Sequence, residues 1–447
     1  MSQALSERTV TIVKATVPAL QAHGLDIVRE MYARMFQNPE IRDLFNQSHH
    51  GDSGSQPRAL TGAILAYAAN IDNLGALTAA VERIAQKHVG LQIMPDHYPH
   101  VASALLGAIG HVLGEAATED VLTAWGEAYW FLANILITRE AALYENLAAA
   151  EGGWNGWRAF EVAEVQPEST VITSIILRPV DGGPVLAHKP GQYLTFWLDL
   201  PGHSPIKRNY SISSAPNGET YRISVKREPH GLASTWLHEN ARPGRILKVG
   251  APAGDFFLPD DPQRPIVLLS GGVGLTPMVS MLEALAARQP QARVHYVHGA
   301  RDVASHAMGD HVRRLAAAIP ASRNTVFYES VPEAANLADH ERTGRISGAW
   351  LASETPVKEA DYYLCGPRPF LRALVSDLVA IGVSADRIRR VGASAGGLVS
   401  PVPGVSPLLS EPSPSFTRVR AARGSAALPR GRLGPYSGHR PMTAPGA

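Results

Sequence analysis

The stretch IVLLSGGVGLTP, residues 266–277, decides how the second half of this chain folds. Ile266–Leu269 is a short apolar run led by β-branched residues, the mark of a strand buried on both faces. Ser270, Gly271, Gly272, Val273 and Gly274 follow as a turn whose missing side chains let the backbone approach a neighbour or a ligand closely. Leu275 opens the next apolar period, and the residues after it predict a helix start, with Thr276 as N-cap and Pro277 at the first position. Strand, glycine turn and helix in this order make one parallel α/β unit, and helix N–H groups aimed at the turn suit a phosphate. An ordinary tight strand-to-helix connection uses the same residue types, so on its own the stretch speaks for the fold and leaves the ligand open.

Downstream, strand-like runs at Arg293–Val297, Thr325–Tyr328 and Asp361–Leu364 alternate with helical stretches near Val312 and up to Gly382. This alternation predicts a parallel α/β sheet over residues 262–388. Cys365, Gly366 and Pro367 close the last of these strands, at the carboxyl edge where such sheets bind ligands; a single cysteine is also a common small packing residue. Upstream, residues 151–261 carry short β-branched runs at Phe160–Val165, Thr170–Leu177, Tyr193–Leu198, Tyr221–Lys226 and Ile246–Val249. Turn residues such as Asp181–Pro184 and Asn217-Gly218 part them, the pattern of an antiparallel barrel or sandwich. Residues 1–150 read as helices throughout, rich in Ala and Leu at 3.6 spacing, with breaks at Asn38-Pro39, His50–Gly54 and Met94-Pro95.

The chain has 447 residues, enough for about three domains. Lys+Arg 41 against Asp+Glu 40 leaves a net charge of +1, which gives no reason to expect nucleic acid as a partner. No run approaches the roughly 18 apolar residues of a spanning helix, so no stable membrane insertion is expected. The opening MSQALSERTV lacks a basic region followed by an apolar one, and a single cysteine excludes a disulfide framework or a Cys-ligated cluster. These features predict a soluble cytoplasmic protein, expected to be a monomer.

Several polar residues sit where the periodicity calls for apolar ones. Val81, Ile84, Ala85 and His88 share one helical stripe, and Trp125, Ala128, Leu132, Leu136, Glu140 and Leu143 share another. Tyr32 follows Val28 inward, and Gln56 lies one turn ahead of Leu60. A lone histidine on such a stripe is commonly a satisfied core residue, and a tyrosine commonly core with its hydroxyl at the edge. A neutral imidazole can also hold a haem iron when an acceptor fixes its ring and tautomer, a part open to Glu140 and Tyr98. In the β region, Arg208-Asn209-Tyr210-Ser211 follows Tyr193: an arginine can neutralise a pyrophosphate, and a tyrosine can lie against a planar ring. Gly231, Leu232, Ala233 and Ser234 form a small-residue turn whose N–H groups can meet a phosphate, or an ordinary loop into a helix at Ser234–Glu239.

The segments IAQKHVGLQIMPDHY (84–98), MYARMF (31–36), NPEIRDLFN (38–46) and ITREAALY (137–144) closely resemble the globin domain of flavohaemoglobins. The series RNYS (208–211), GGVGLTP (271–277) and CGP (365–367) resembles the ferredoxin–NADP reductase family, and APAGDFF (251–257) with Trp236-Leu237-His238 matches its flavohaemoglobin branch. The resemblance implies a multi-domain chain: an all-α globin over 1–150, an antiparallel FAD-binding β-barrel over 151–261, and an α/β NAD(P)-binding sheet over 262–388. It implies that His88 is the haem ligand, with Tyr98 and Glu140 as its relay. Tyr32 and Gln56 would be the distal pair, Phe45 and Leu60 the pocket wall, and Lys87 a residue that tunes the haem and flavin potentials. FAD would rest on Tyr193, Arg208, Asn209, Tyr210, Ser211 and the 231–234 turn, and NAD(P)H on Ser270–Pro277 and Cys365–Pro367. The implied activity is dioxygenation of nitric oxide: two NO and two O₂ per NAD(P)H give two nitrate. The alternatives are an NAD(P)H-dependent flavin or haem reductase with a gas-binding globin, or a product impaired by its altered C-terminus. Arg301 and Asp302 offer features suited to NADPH and to NADH respectively.

One region departs from the family pattern. An aromatic-rich terminal strand is expected shortly after Ile388, but Arg389–Ser394 stands there, and residues 371–415 hold no Phe, Tyr or Trp. Residues 389–447 carry eight Arg and one acid. Their Pro-, Gly-, Ser- and Arg-rich composition predicts a disordered tail, and its abrupt onset suggests a shifted reading frame.

Overall fold

A computed structural model describes residues 4–44, 55–331 and 338–392. Phe45 and the tail from Ala393 lie outside the described residues.

The first part is helical: α1 (Glu7–Ala15), α2 (Val17–Met35), α3 (Pro39–Arg42), α4 (Ser55–Ala69), α5 (Thr78–Leu91), α6 (Tyr98–Leu113) and α7 (Glu119–Ala149). Local chemistry starts several of them. The Ser6 hydroxyl accepts from Thr9 N–H, Asn38 caps α3 ahead of Pro39, and the Thr118 hydroxyl accepts from Val121 N–H. Ile27, Val28, Met31 and Met35 of α2 pack with Leu105, Ala108 and Ile109 of α6 and with Trp125 and Ala128 of α7. A second cluster joins Val81, Ile84 and Ala85 of α5 to Leu132, Ala133 and Leu136 of α7, the stripes expected from the periodicity.

Six antiparallel strands follow: β1 (Arg158–Pro167), β2 (Ile172–Pro179), β3 (Tyr193–Leu198), β4 (Ile206–Ser211), β5 (Tyr221–Lys226) and β6 (Ile246–Val249), in the order β4-β3-β6-β1-β2-β5. Beyond β4, Ile212 bridges Ile223 and Ser213 N–H donates to Arg222 O at 2.7 Å, so the two outer strands meet and the sheet closes. Closure makes this a barrel and leaves the sandwich alternative aside. Its interior holds Phe160, Val162, Ile175, Leu177, Leu194, Phe196 and Ile223, with α8 (Leu232–Asn240) adding Ala233 and Leu237. Strand β4 was not among the expected strands. All six of its residues are half-buried, so it lacks the two-residue alternation that marks a strand.

The last part is a parallel sheet ordered β10-β9-β8-β7-β11-β12, from β7 (Ile266–Gly271), β8 (Val294–Ala300), β9 (Ser322–Tyr328), β10 (Glu341–Thr343), β11 (Asp361–Gly366) and β12 (Ile388–Gly392). Helices α9 (Leu275–Arg288) and α10 (Gly309–Ala317) pack in one core cluster, and α11 (Gly348–Glu354) and α12 (Arg368–Ala380) in another. Two expectations are corrected. The sheet does not stop at Ile388: β12 pairs with β11 from Tyr362↔Ile388 to Gly366↔Gly392. Backbone pairing needs no aromatic side chain, Val391 packs on the core, and the Arg389 guanidinium lies 5.8 Å from the Tyr363 ring. Thr276 is not an N-cap. A 3-10 turn over Gly272–Gly274 winds the chain early, so α9 begins at Leu275 with Gly274 as cap, and the Thr276 hydroxyl donates to Val273 O at 3.0 Å. No helix among the described residues is long and apolar enough to cross a membrane.

Candidate functional site

In the helical part, α5, α6 and α7 bring three expected residues together. Glu140 Oε1 lies 2.6 Å from His88 Nδ1 and accepts from the Tyr98 hydroxyl at 2.7 Å. A carboxylate this close places the imidazole hydrogen on Nδ1, so the lone pair of the neutral ring is on Nε2. Glu140 is 2% exposed, and its Oε2 is buried without a partner among the described residues, so the charge is held in a dry site and aimed at the histidine. Supporting bonds fix the frame: Tyr129 OH donates to Tyr98 O at 2.7 Å, and Tyr144 OH donates to Ile93 O at 2.9 Å. The sequence reading did not identify these two tyrosines, which show only as further apolar-face residues of α7. A neutral imidazole on a half-buried histidine, with its Nε2 lone pair free of the proton and a buried carboxylate behind Nδ1, is a donor set that fits a haem iron.

Tyr32 is buried on α2, its ring 5.4 Å from Phe36, and burial pushes its hydroxyl up to about 12, so it is a proton donor at neutral pH. Gln56 and Leu60 lie on α4, which α2 touches where Thr61 meets Gly24. The Gln56 Oε1 is buried without a partner among the described residues. Lys87, one residue before His88, is half-buried, and burial lowers its ammonium pKa against the pull of Asp255 on the barrel.

On the barrel, Tyr193 pairs directly with Ser211, and Thr195 with Asn209, so the GQY and RNYS segments form one two-stranded patch. Tyr210 packs edge-on against Phe196 at 5.6 Å. The Arg208 guanidinium donates to Lys207 O at 2.7 Å and has no carboxylate partner among the described residues; burial lowers its pKa. A partly desolvated guanidinium without an acid fits an anion such as a pyrophosphate. Gly254 holds φ +114, and a Cβ there would sit 2.9 Å from the Tyr193 ring, so the 251–257 loop can wrap that tyrosine only with glycine. Gly231 caps α8, whose first N–H groups Leu232, Ala233 and Ser234 precede the first intrahelical bond, from Thr235 N–H to Gly231 O. The Ser234 hydroxyl is spent within this turn, accepting from Glu228 N–H at 3.1 Å.

On the parallel sheet, the β7–α9 turn meets the end of β11 at the carboxyl edge. A Cβ on Gly274 would lie 2.2 Å from Cys365 O, and Phe370 covers both Gly271 and Gly366. Of the residues expected to meet NAD(P)H, Gly272, Val273 and the exposed Pro367 present surface, whereas Ser270, Leu275, Thr276, Pro277 and Cys365 are buried. The Ser270 hydroxyl is bonded to His298 Nδ1 at 2.8 Å, and burial pushes the Cys365 thiol up to about 12, so that side chain serves as packing. Sequence reasoning missed Phe370. It also missed the Glu283 carboxylate of α9, which accepts from Arg222 on β5 at 2.5 Å, His311 at 2.6 Å and Ala215 N–H at 2.7 Å, tying barrel to sheet. Nothing local distinguishes Glu283 from a solvent-facing helical residue.

Two family models match the chain: Globin over residues 29–136 and Oxidoreductase NAD-binding domain over residues 268–376. A flavohemoprotein from Xylella fastidiosa (strain 9a5c) is 53% identical over 388 residues, 87% of this chain and 96% of the relative. One from Bordetella pertussis is 46% identical over 402 residues, 88% of this chain and all of the relative. The crystal structure of a flavohemoglobin from Malassezia yamatoensis, with bound FAD and heme, superposes with a TM-score of 0.77 at 27% identity, covering 87% of this chain and all of that one. Helical part, barrel and parallel sheet follow one another here with that identity along nearly the whole of such relatives, and the chain belongs to the flavohemoprotein family of oxidoreductases.

Proposed function

We propose that this chain is a nitric oxide dioxygenase that uses NAD(P)H, FAD and haem to turn NO and O₂ into nitrate. The observation that carries the reading is the buried Tyr98–Glu140–His88 chain, which keeps a proton on Nδ1 and leaves Nε2 as a strong ligand. When bound, FAD takes two electrons as a hydride and passes them singly, and haem iron supplies the one-electron chemistry toward O₂. Glu140 fixes the orientation and tautomer of the His88 ring, and Tyr98 holds Glu140 in place. The Tyr32 hydroxyl, kept protonated by burial, donates a hydrogen bond to negative charge developing in the distal half of the pocket, with Gln56 as the second polar group there. Arg208 would hold the flavin pyrophosphate, Tyr193 and Tyr210 would contact the flavin, and Gly272, Val273 and Pro367 would receive the nicotinamide nucleotide.

The test is NO consumption by the purified, cofactor-loaded chain with NADH. Wild type consumes NO far faster than free haem, and Tyr32→Phe loses roughly 100-fold of that rate while flavin reduction by NADH is unchanged. Wild-type consumption no faster than free haem sinks the dioxygenase reading. Undiminished turnover in Tyr32→Phe removes the role given to that hydroxyl.

A further inference from the structure

Helix α5 carries His88 and runs its last turn onto the barrel. Gly90 faces the barrel directly: a Cβ there would lie 3.1 Å from the Tyr193 hydroxyl and 3.2 Å from Ala253 Cβ. An alanine there asks its neighbours to give by a few tenths of an ångström, and a branched side chain such as valine asks the helix and the strand that bears Tyr193 to part further. At Leu91 the helix ends, and its last carbonyl is one of those a helix leaves unsatisfied, at the negative pole of the helix dipole. Lys207, on β4 beside Arg208, donates to that carbonyl at 2.9 Å. Its ammonium lies 5.5 Å from the Trp157 ring and 5.4 Å from the Trp197 ring, and the two indoles meet edge to face. Two aromatic faces and little water make this a strong, directed bond, and burial pulls the lysine down to about 8.

Neighbouring contacts hold the same seam. Gln92 turns the chain into the left-handed region at φ +61, and its Oε1 accepts from Gly156 N–H at 2.9 Å. Arg83, nearer the start of the helix, pairs with Asp255 at 3.1 Å. The two residues that follow His88 and Val89 thus meet, in turn, the tyrosine and the lysine of the barrel patch.

We propose that Gly90 and Lys207 are positioning residues that seat helix α5 on the barrel and so set the gap that electrons cross between the barrel site and His88. The proposal rests on the reading of those two sites given above. Gly90 supplies closeness, since it is the absence of a side chain that admits Tyr193. Lys207 supplies register, since one donor on one terminal carbonyl fixes both the height and the rotation of the helix end. Neither residue is assigned contact with a cofactor.

The experiment uses the full-length, cofactor-loaded chain and two readouts. In anaerobic stopped flow with NADH, flavin bleaching stays within about twofold of wild type in Lys207→Met and Gly90→Val. Haem reduction slows by about threefold or more in Lys207→Met and roughly tenfold or more in Gly90→Val. Lys207→Met keeps the aliphatic stem between the indoles and removes the charged donor, which covers the case in which Gly90→Val fails to fold. Lys207→Arg, which keeps a donor, recovers haem reduction relative to Lys207→Met. In hydrogen exchange, the Gly156 amide loses protection in Lys207→Met while Leu268, deep in the parallel sheet, does not. Unchanged haem reduction together with unchanged Gly156 exchange overturns the proposal. If haem in the wild type accepts no electrons, the reading of the two sites fails instead. The Gly156 amide then still decides the seat, since undiminished protection in Lys207→Met refutes it.

Discussion

Replacing Gly274 by alanine puts a methyl group where the fold has no room. The backbone there is ordinary right-handed, φ −62 and ψ −6, so the turn itself tolerates any residue. The obstacle is space. The new Cβ would lie 2.2 Å from Cys365 O, 2.5 Å from Cys365 C and 2.7 Å from Gly366 N, all backbone atoms of β11. Real Cβ contacts essentially never fall below 3.0 Å, so the α9 turn and β11 must part by about 0.8 Å. Neither side is a flexible side chain, which puts the cost at the upper end of the overpacking range, about 2–3 kcal/mol or roughly 5–10 °C in Tm. Movement of the turn also displaces Gly272 and Val273, so KM for NADH in flavin reduction rises several-fold. Gly272→Ala is the control. Its φ is +53 and nothing lies within 4 Å of the added Cβ, so it costs about 1 kcal/mol from conformation alone. The assays are thermal melting and steady-state reduction of a dye by NADH. A Gly274→Ala chain that melts within a degree of wild type with unaltered KM refutes the account of the turn, and so does a Gly272→Ala chain that melts below it.

Two further outcomes follow from other buried groups. Burial lowers both His188 and His295 to about 4, and each has a buried Nδ1 with no partner among the described residues to receive a second N–H. An unfolded histidine takes its proton near pH 6.5, so stability is full above that pH and falls as pH drops from 6.5 toward 4. The loss is at most about 3 kcal/mol for each, read by urea unfolding at pH 7, 5.5 and 4.5; a flat profile over that range contradicts the burial argument. Tyr98→Phe removes the 2.7 Å bond to a carboxylate whose other oxygen has no partner among the described residues, and lowers stability by about 2 kcal/mol with faster loss of haem to an excess of apo-globin. Wild-type melting and haem retention in that variant discount the relay.

Much of this molecule is legible along the chain because its signals are local. A strand, a glycine turn and a helix are each decided within a few residues, so IVLLSGGVGLTP announces a parallel α/β unit, and the 3.6 spacing that places His88 and Glu140 on apolar stripes is a property of each helix alone. That His88 and Glu140 share a proton was inferred from resemblance; their 2.6 Å approach depends on how α5 crosses α7, fifty-two residues apart. Other features had no local signal. Strand β4, at one end of the strand order, is half-buried throughout, so it shows no alternation. Strand β12 exists because β11 offers an unpaired edge; Ile388–Gly392 carries no strand signature strong enough to outweigh the composition around it. Ser270 and Cys365 looked available at a sheet edge, and only the packing of α9 and α12 against that edge buried them. Lys207 reads as one more surface charge until Trp157, Trp197 and the end of α5 converge on it. The sequence by itself determined the elements, their order and the residue types a site needs, since propensity and periodicity act over one or two turns. Only the tertiary structure decided which backbones approach closely, which polar groups lose water and which part of the chain seats on which, because those depend on contacts between residues far apart in sequence.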